Sequence, residues 1–511
     1  MTARTARNIM IGVGFSLMVL LVLSACQRPA NTGAQSVETS PAVLYRVLAV
    51  EEQLLPAWVI AGVDRDTSSW TIEGRMTARA VPGVSVAVIN ADRIEWARGY
   101  GEAAAGEAPV DADTIFQAAS IGKTLTAMTV LALVDRGVLD LDRDVNEYLV
   151  SWRLPTTEIA DGEIVTLDRI LSHTAGLTVH GFGGYTPGEE LPSLRQMLDG
   201  EAPTNSGAVR IAWKPGTEMR YSGGGYLVSQ QIIEDVTGKP FESVVEELVL
   251  RPLGMTRTFY RATLDTELAR SASAGHLVNG AIMPGRYRAM PEYGAGAGLW
   301  STPSDLCRLA LAIADARTGH AGGPVSPAAA RDMLTPRLGG NGLGVFLSGQ
   351  GDVFAFYHGG DNTGFHAFLV VYPERGQGAA IMTNGDGGIL LYSEILRAIS
   401  AVYEWPDYRP VRATVAGVDQ GQLERLSGIW SVEGFGELPV SEANGALELP
   451  DLWGTGAPIR LFPVNRRTFV APDYDLAFAF EDPDTGVPGV AEITFGLDTY
   501  RASRVDTPKV E

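Results

Sequence analysis

The hydrophobic pattern of the chain changes character along its length. An apolar run from Ile9 through Leu23 contains no acidic residue and follows Arg4 and Arg7. A basic start, a short apolar core and small residues at the end form the layout of a secretory signal. The run is too short and too rich in Ser and Gly for a spanning helix. From Arg28 to about Pro41 the sequence is polar and carries Pro, Thr and Ser, which predicts a flexible tether. From Gly83 to Gly101 the pattern predicts a hairpin: Val84, Val86 and Val88 alternate with small residues, Asn90-Ala91-Asp92 turns, and Ile94 to Tyr100 returns. Residues 120–137 are largely apolar and end at Gly137, which predicts a buried helix. Residues 140–290 mix short helical patterns with Gly and Pro loops. A second β segment spans about Leu343 to Asn384, with a hairpin from Phe365 to Tyr372, a turn through Pro373 and Gly376, and a return from Ala379 to Thr383. Ile389 to Trp405 reads as a helix.

Sheet pieces at both ends with a helical insert between them predict an α+β layered domain. Pro406 to Gln422 reads as a linker. Beyond it short alternating runs recur (Leu438-Val440, Ala446-Leu449, Ile459-Phe462, Thr468-Ala471, Leu476-Phe480, Ala491-Phe495), separated by turn residues. They predict a small all-β barrel or sandwich of about 90 residues. The expected organisation is therefore 1–25 signal, 26–64 tether and N-terminal segment, 65–405 main domain, 406–422 linker and 423–511 barrel.

Composition narrows the function. Of 511 residues, 40 are Lys or Arg and 60 are Asp or Glu, a net charge of −20, so a phosphate backbone would be repelled and nucleic acid is excluded as a partner. Two cysteines, Cys26 and Cys307, exclude a disulfide framework and a cysteine zinc site. Cys26 ends the stretch Leu23-Ser24-Ala25-Cys26, which resembles the lipobox of bacterial lipoproteins. That resemblance implies cleavage before Cys26, a lipid on its thiol and a membrane partner through that anchor. Gln27 in place of Asp implies, by resemblance to Gram-negative lipoproteins, the outer membrane facing the periplasm. Cys307, in an apolar helical pattern with Leu306, Leu309 and Leu311, reads as a small buried side chain.

Several chemistries have no signature here. There is no H-E-x-x-H, and none of the six histidines has a partner at zinc-ligand spacing, so no metal is expected. No G-x-G-x-x-G occurs, and Gly122-Lys123-Thr124 lacks the first glycine of a phosphate loop because residue 117 is Gln. No cofactor is expected. Gly83-Val84-Ser85-Val86-Ala87 approaches a nucleophile elbow but lacks its last glycine and sits in a strand.

The positive signal is Ser120-Ile121-Gly122-Lys123 at the start of the buried helix. Three residues are about one helical turn, so the ammonium can return to the hydroxyl. Serine needs a base to take its proton, and lysine can serve when burial favours its neutral form, which arginine cannot do. The chain holds only four lysines, at 123, 214, 239 and 509, against 36 arginines, so Lys123 stands out. Alone, the spacing also describes an N-cap serine and a solvated lysine. Tyr221-Ser222-Gly223-Gly224-Gly225-Tyr226, just before a helix from Leu227 to Val236 ended by Gly238, is positioned to bring a phenol as a second proton carrier. His358-Gly359-Gly360-Asp361 precedes the strand at Phe365, and its glycines would let an N–H face a developing oxyanion, although the same residues also describe a tight turn.

In this order, S-x-x-K, Y-S-x and H-G-G resemble the serine β-lactamase and penicillin-binding-protein superfamily, most of all its class C-like esterase, D-aminopeptidase and β-lactamase-related branch. The stretches Val81-Pro82-Gly83-Val84-Ser85-Val86-Ala87-Val88, Leu171-Ser172-His173-Thr174-Ala175-Gly176-Leu177 and Gly298-Leu299-Trp300-Ser301-Thr302-Pro303-Ser304-Asp305-Leu306 extend the likeness over about residues 65–405. It implies the β-lactamase/transpeptidase-like fold, an antiparallel sheet flanked by helices with a helical subdomain. It also implies roles: Ser120 as acylated nucleophile, Lys123 as base, Tyr221 as proton shuttle, and His358 in the place of the lysine of K-T-G. The N–H groups of Ser120 and Asp361 would form the oxyanion hole, with Gly223, Gly359 and Gly360 lining the substrate. His173 would be structural, with Gly176 closing a helix. Two departures stand out: Gly223 replaces the Asn of Y-x-N, and His358, mostly neutral at pH 7, replaces a cation. They favour small esters, amides or D-amino-acid peptides over a β-lactam or a D-Ala-D-Ala terminus. A β-lactamase or DD-carboxypeptidase is the alternative, and a non-catalytic binder of cell-wall peptides the alternative of another class. The 423–511 segment resembles the lipocalin-like barrel of many relatives.

Overall fold

The computed structural model describes residues 40–61, 63, 70–432, 436–452, 457–481 and 487–505. The expected signal, Cys26 and the tether as far as residue 39 lie outside the described residues. The long helices are α1 (Pro41–Glu52), α2 (Gly122–Asp135), α3 (Gly223–Thr237), α4 (Pro303–Arg317) and α5 (Gly388–Tyr403). The main sheet holds β1 (Gly83–Asn90), β2 (Arg93–Gly101), β3 (Phe346–Ser348), β4 (Ala355–Asn362), β5 (Phe365–Tyr372) and β6 (Gln377–Thr383). Their spatial order is β2-β1-β6-β5-β4-β3, antiparallel throughout. Both predicted hairpins are present.

The sheet lies between two cores, which explains why β1 alternates valine with small residues. Val84, Val86 and Val88 pack with Leu391, Ile395 and Ile399 of α5. Ala87 and Ile89 belong to the other core, with Leu306, Cys307 and Ala310 of α4. Small side chains on that face let α4 approach until the Cys307 Sγ sits 3.8 Å from the Ala87 carbonyl. Burial pushes that thiol up to about 12, so it is a packed side chain and no nucleophile. Helix α2 lies deep in the same core as α4, with 12 of its 14 residues buried, so it offers no wet face on which Lys123 could be solvated.

Eight further strands close into a C-terminal barrel: β7 (Gly428–Val432), β8 (Gly436–Ala443), β9 (Ala446–Leu449), β10 (Ile459–Pro463), β11 (Thr468–Ala471), β12 (Leu476–Phe480), β13 (Val490–Phe495) and β14 (Asp498–Arg504). Its interior is a filled apolar core that includes Trp430, Leu447, Leu461, Phe469, Phe478 and Phe480, as expected for the diameter of eight strands. The barrel docks against α5, on the sheet face opposite α2. There Arg397 and Asp475, both almost wholly buried, form an ion pair at 2.5 Å, and Asp475 also accepts from the Ala57 N–H at 3.1 Å.

The segment 406–422, expected to be a linker, is structured instead. Val411–Thr414 is a strand paired in parallel with Trp58–Ala61, the Ala416 N–H donates to Pro463, and the helix Gln420–Leu426 starts within it. Its pairing partner lies more than three hundred residues earlier, so no local pattern announces the strand.

Candidate active site

Ser120 sits in a short 3-10 turn, Ala119–Ile121, that runs into α2. Ala119 before it has φ of +45°, a left-handed value that a residue with a Cβ adopts only when the surroundings hold it there. Those surroundings are close: a Cβ on Gly296 would fall 2.7 Å from the Ala119 carbonyl oxygen, and one on Gly122 would fall 2.6 Å from the Gly296 Cα. The turn and the segment 294–298 are thus packed backbone to backbone.

Lys123, one helical turn further on, donates from Nζ to Ser120 Oγ at 3.0 Å and to the Ala295 carbonyl at 2.7 Å. No carboxylate pairs with it among the described residues. Burial without a counter-charge moves its pKa down from 10.5 to about 7, so a large neutral fraction exists at neutral pH. The Ala295 carbonyl fixes the amine toward the serine.

Tyr221 completes this group. Its phenol interacts with the Ser120 side chain, and Lys123 Nζ lies 4.9 Å from its ring centroid. Burial raises its pKa well above the usual phenol value, so it stays protonated and can donate. Helix α3 begins directly after it because Ser222 is the N-cap, accepting from the Gly225 N–H at 2.9 Å. The helix starts four residues before the predicted Leu227, since this cap and close packing support its three glycines.

His358-Gly359-Gly360-Asp361 is no turn; it lies inside β4, and the hairpin turn is Thr363-Gly364. β3 covers only Ala355 to Tyr357, which leaves the rest of that edge open toward Ser120. The two-residue turn makes Asn362 and Phe365 a hydrogen-bonded pair, so by alternation the Asp361 N–H points out of the open edge. A Cβ on Gly360 would fall 2.1 Å from the Ala118 carbonyl oxygen, whereas one on Gly359 would meet nothing nearer than 3.8 Å. Gly360 is what lets the edge approach the serine turn. Asn362 secures it by donating to Gln117 Oε1 at 2.9 Å and to the Ala297 carbonyl at 3.0 Å.

The His358 Nδ1 lies 2.6 Å from the Gly359 carbonyl, which can only accept, so Nδ1 carries the proton. Burial and the Lys123 charge lower its pKa to about 4, leaving the ring neutral. Among the described residues no fixed cation stands where the lysine of K-T-G would be.

A family model described as Beta-lactamase matches residues 70–403. The chain belongs to the beta-lactamase family of serine hydrolases. Among curated relatives, "Penicillin-binding protein 4" of Amycolatopsis lactamdurans is 28% identical over 342 residues, 63% of this chain and 86% of that protein. "Esterase EstB" of Burkholderia gladioli is 34% identical over 170 residues, 31% of this chain and 41% of the esterase, so the match spans less than half of that relative. Among solved structures, the octameric penicillin-binding protein homologue from Pyrococcus abyssi superposes with a TM-score of 0.57 at 22% identity, covering 84% of this chain and 98% of that one. This last likeness speaks for the fold.

Two further positions shape the site of this member of the beta-lactamase family. Gly223 cannot be read as a simple loss of the Y-x-N amide. A Cβ there would lie 2.8 Å from the Phe182 ring and 3.1 Å from the His180 carbonyl oxygen, so Phe182 fills the space. His173, read from sequence as structural, is a wall of the site. Its ring stacks on Tyr221 at 4.2 Å between centroids, and its Nδ1 accepts from the Ser222 N–H at 3.1 Å. Burial, with Lys123 next, holds it neutral. Gly176 does not close a helix: Leu167–Leu171 ends at Ser172, and Gly176 turns at φ +67° against the Trp213 carbonyl. The Ala295 carbonyl and Phe346, which lies 6.3 Å from Tyr221 and 5.2 Å from His358 between centroids, had no signal beyond the glycine-rich 294–298 stretch.

Proposed function

We propose that the chain hydrolyses small esters, amides or D-amino-acid-containing peptides through an acyl-enzyme on Ser120. The observation that carries this reading is a desolvated lysine amine with a pKa of about 7, 3.0 Å from the serine oxygen. Neutral Lys123 takes the Ser120 proton as Oγ attacks the substrate carbonyl. The resulting oxyanion sits between the Ser120 N–H, free in the first turn of its helix, and the Asp361 N–H on the open strand edge. Tyr221, protonated and beside Ser120, gives its proton to the leaving group and regains one from Lys123. Water then enters where the leaving group stood, and the same groups return the serine.

A β-lactamase or DD-carboxypeptidase activity is the second reading. The neutral His358 and the space filled by Phe182 count against it, since both supply less polar recognition than the motifs they replace. A non-catalytic binder of peptides has no use for a desolvated lysine aimed at a serine. The expected result is that Ser120→Ala abolishes p-nitrophenyl ester turnover and labelling by a fluorophosphonate. Survival of either activity sinks the assignment, and enzyme-like hydrolysis of a chromogenic cephalosporin promotes the second reading. For location, the proposal is a lipid on Cys26 and the outer membrane facing the periplasm. Incorporation of labelled palmitate that is lost in Cys26→Ser tests it.

A further inference from the structure

Beyond Asp361 the open edge of β4 leads into a cleft of about 320 Å³ bordered by Phe182, Met290, Arg288, Asp361 and His366. Its electrostatics are unusual for a protein of net charge −20. Arg288 lines it and pairs with no carboxylate among the described residues. Its Nη1 donates to Thr186 Oγ1 at 3.1 Å, but its Nε, shielded from solvent, has no acceptor. A guanidinium left with a buried, unused donor beside a cleft lacks the acceptor that such groups ordinarily have. The acidic neighbour does not supply it: Asp361 Oδ1 is engaged by His366 Nδ1 at 2.6 Å. The arginine is also held in place, because its carbonyl accepts from Gln117 Nε2 at 2.8 Å, and Gln117 Oε1 in turn accepts from Asn362. Arg288 is therefore fixed relative to the strand edge and to the serine turn.

The side of the scissile bond that reaches this cleft follows from the proton path, so the inference rests on the function proposed above. Tyr221 must face the leaving group, and it lies at the His358 end of the edge, near Phe346. The cleft lies at the other end, past the oxyanion donor Asp361, about 10 Å further along the strand. The acyl portion of the substrate points into it. We propose that this cleft is an acyl subsite for a carboxylate-bearing acyl chain, with Arg288 as the specificity-determining residue. The substrate class is then an ester or amide of a dicarboxylic or acidic amino acid. The far carboxylate accepts from the Nη groups of the guanidinium, while the near carbonyl enters the oxyanion hole.

The test compares mono-p-nitrophenyl adipate with p-nitrophenyl hexanoate, which share chain length and leaving group and differ in the terminal charge. For the wild type, kcat/KM is expected to favour the adipate ester by about tenfold or more, the worth of a charged hydrogen bond. Arg288→Met should erase that preference while leaving the hexanoate ester within about threefold, and Arg288→Lys should keep part of it. Hexanoate turnover also reports that the variants fold. A wild type indifferent to the charge, or a Met variant that loses both esters equally, overturns the proposal. Binding of monomethyl adipate against methyl hexanoate to Ser120→Ala by calorimetry decides the matter without turnover. If neither p-nitrophenyl ester is hydrolysed, the reading of Ser120 fails for these substrates, yet monomethyl adipate binding that depends on Arg288 still supports the subsite. Absence of that binding overturns it.

Discussion

Replacing Lys123 by Met removes a charge that the fold holds at a cost, and the size of that cost follows from the site. Burial lowers the amine from 10.5 to about 7, and one pKa unit is worth 1.36 kcal/mol. Below pH 7 the penalty is therefore about 5 kcal/mol. The sign is set by proton counts. Between about pH 7 and 10.5 the unfolded chain keeps this proton and the folded chain has released it, so stability rises with pH through that window. From pH 7 to pH 9 the folded lysine goes from half to fully neutral while the unfolded one remains charged, a gain of about 2 kcal/mol for the wild type. Lys123→Met lacks this term and keeps every other titrating group. The expected result is that urea midpoints of wild type and variant converge or cross between pH 7 and pH 9, by about 2 kcal/mol in the wild type's favour. Over the same range kcat/KM of the wild type rises with one ionisation near 7 and has no falling limb, because the Tyr221 phenol is raised out of range. The variant loses about 10²–10⁴-fold in rate. Parallel stability curves would falsify the claim that this lysine is neutralised by burial, and a flat pH–rate profile would remove its role as the base.

Three other outcomes are expected. Gly360→Ala drives a Cβ to 2.1 Å from the Ala118 carbonyl and should cost at least about 10²-fold in kcat, the worth of an oxyanion donor, while Gly359→Ala, with 3.8 Å of room, should change kcat by less than about threefold; equal losses in a kinetic comparison would count against the strand-edge geometry. Gly223→Asn restores the side chain of Y-x-N but meets the Phe182 ring at 2.8 Å, so it should destabilise the protein by about 1–3 kcal/mol and bring no cephalosporin hydrolysis, checked by thermal melting and a chromogenic assay. Asp475→Ala leaves Arg397 buried and unpaired, which should cost about 3–5 kcal/mol of stability; activity per folded molecule should be unchanged because the barrel docks on the face away from Ser120, and a loss of kcat at full folding would show that the barrel reaches the site.

The sequence by itself determined the elements whose pattern is local. The β1–β2 and β5–β6 hairpins, the buried helix after Ser120 and the rhythm of the barrel strands are written in alternation, turn residues and helical apolar runs. The spacing of Ser120 and Lys123 is legible for the same reason, since one helical turn sets their separation whatever surrounds the helix. Tertiary structure alone decided the rest. The strand at Val411 depends on a partner at Trp58, and the H-G-G segment becomes an open strand edge only because β3 begins at Phe346, opposite Tyr357. The carbonyl of Ala295 that aims Lys123, the ring of Phe182 that fills the place of an amide, and the unpaired guanidinium of Arg288 are each brought in from distant loops. Chemistry that depends on which groups lose water together, as the pKa of Lys123 does, is fixed by packing between segments remote in the chain, and no one-dimensional pattern encodes that burial.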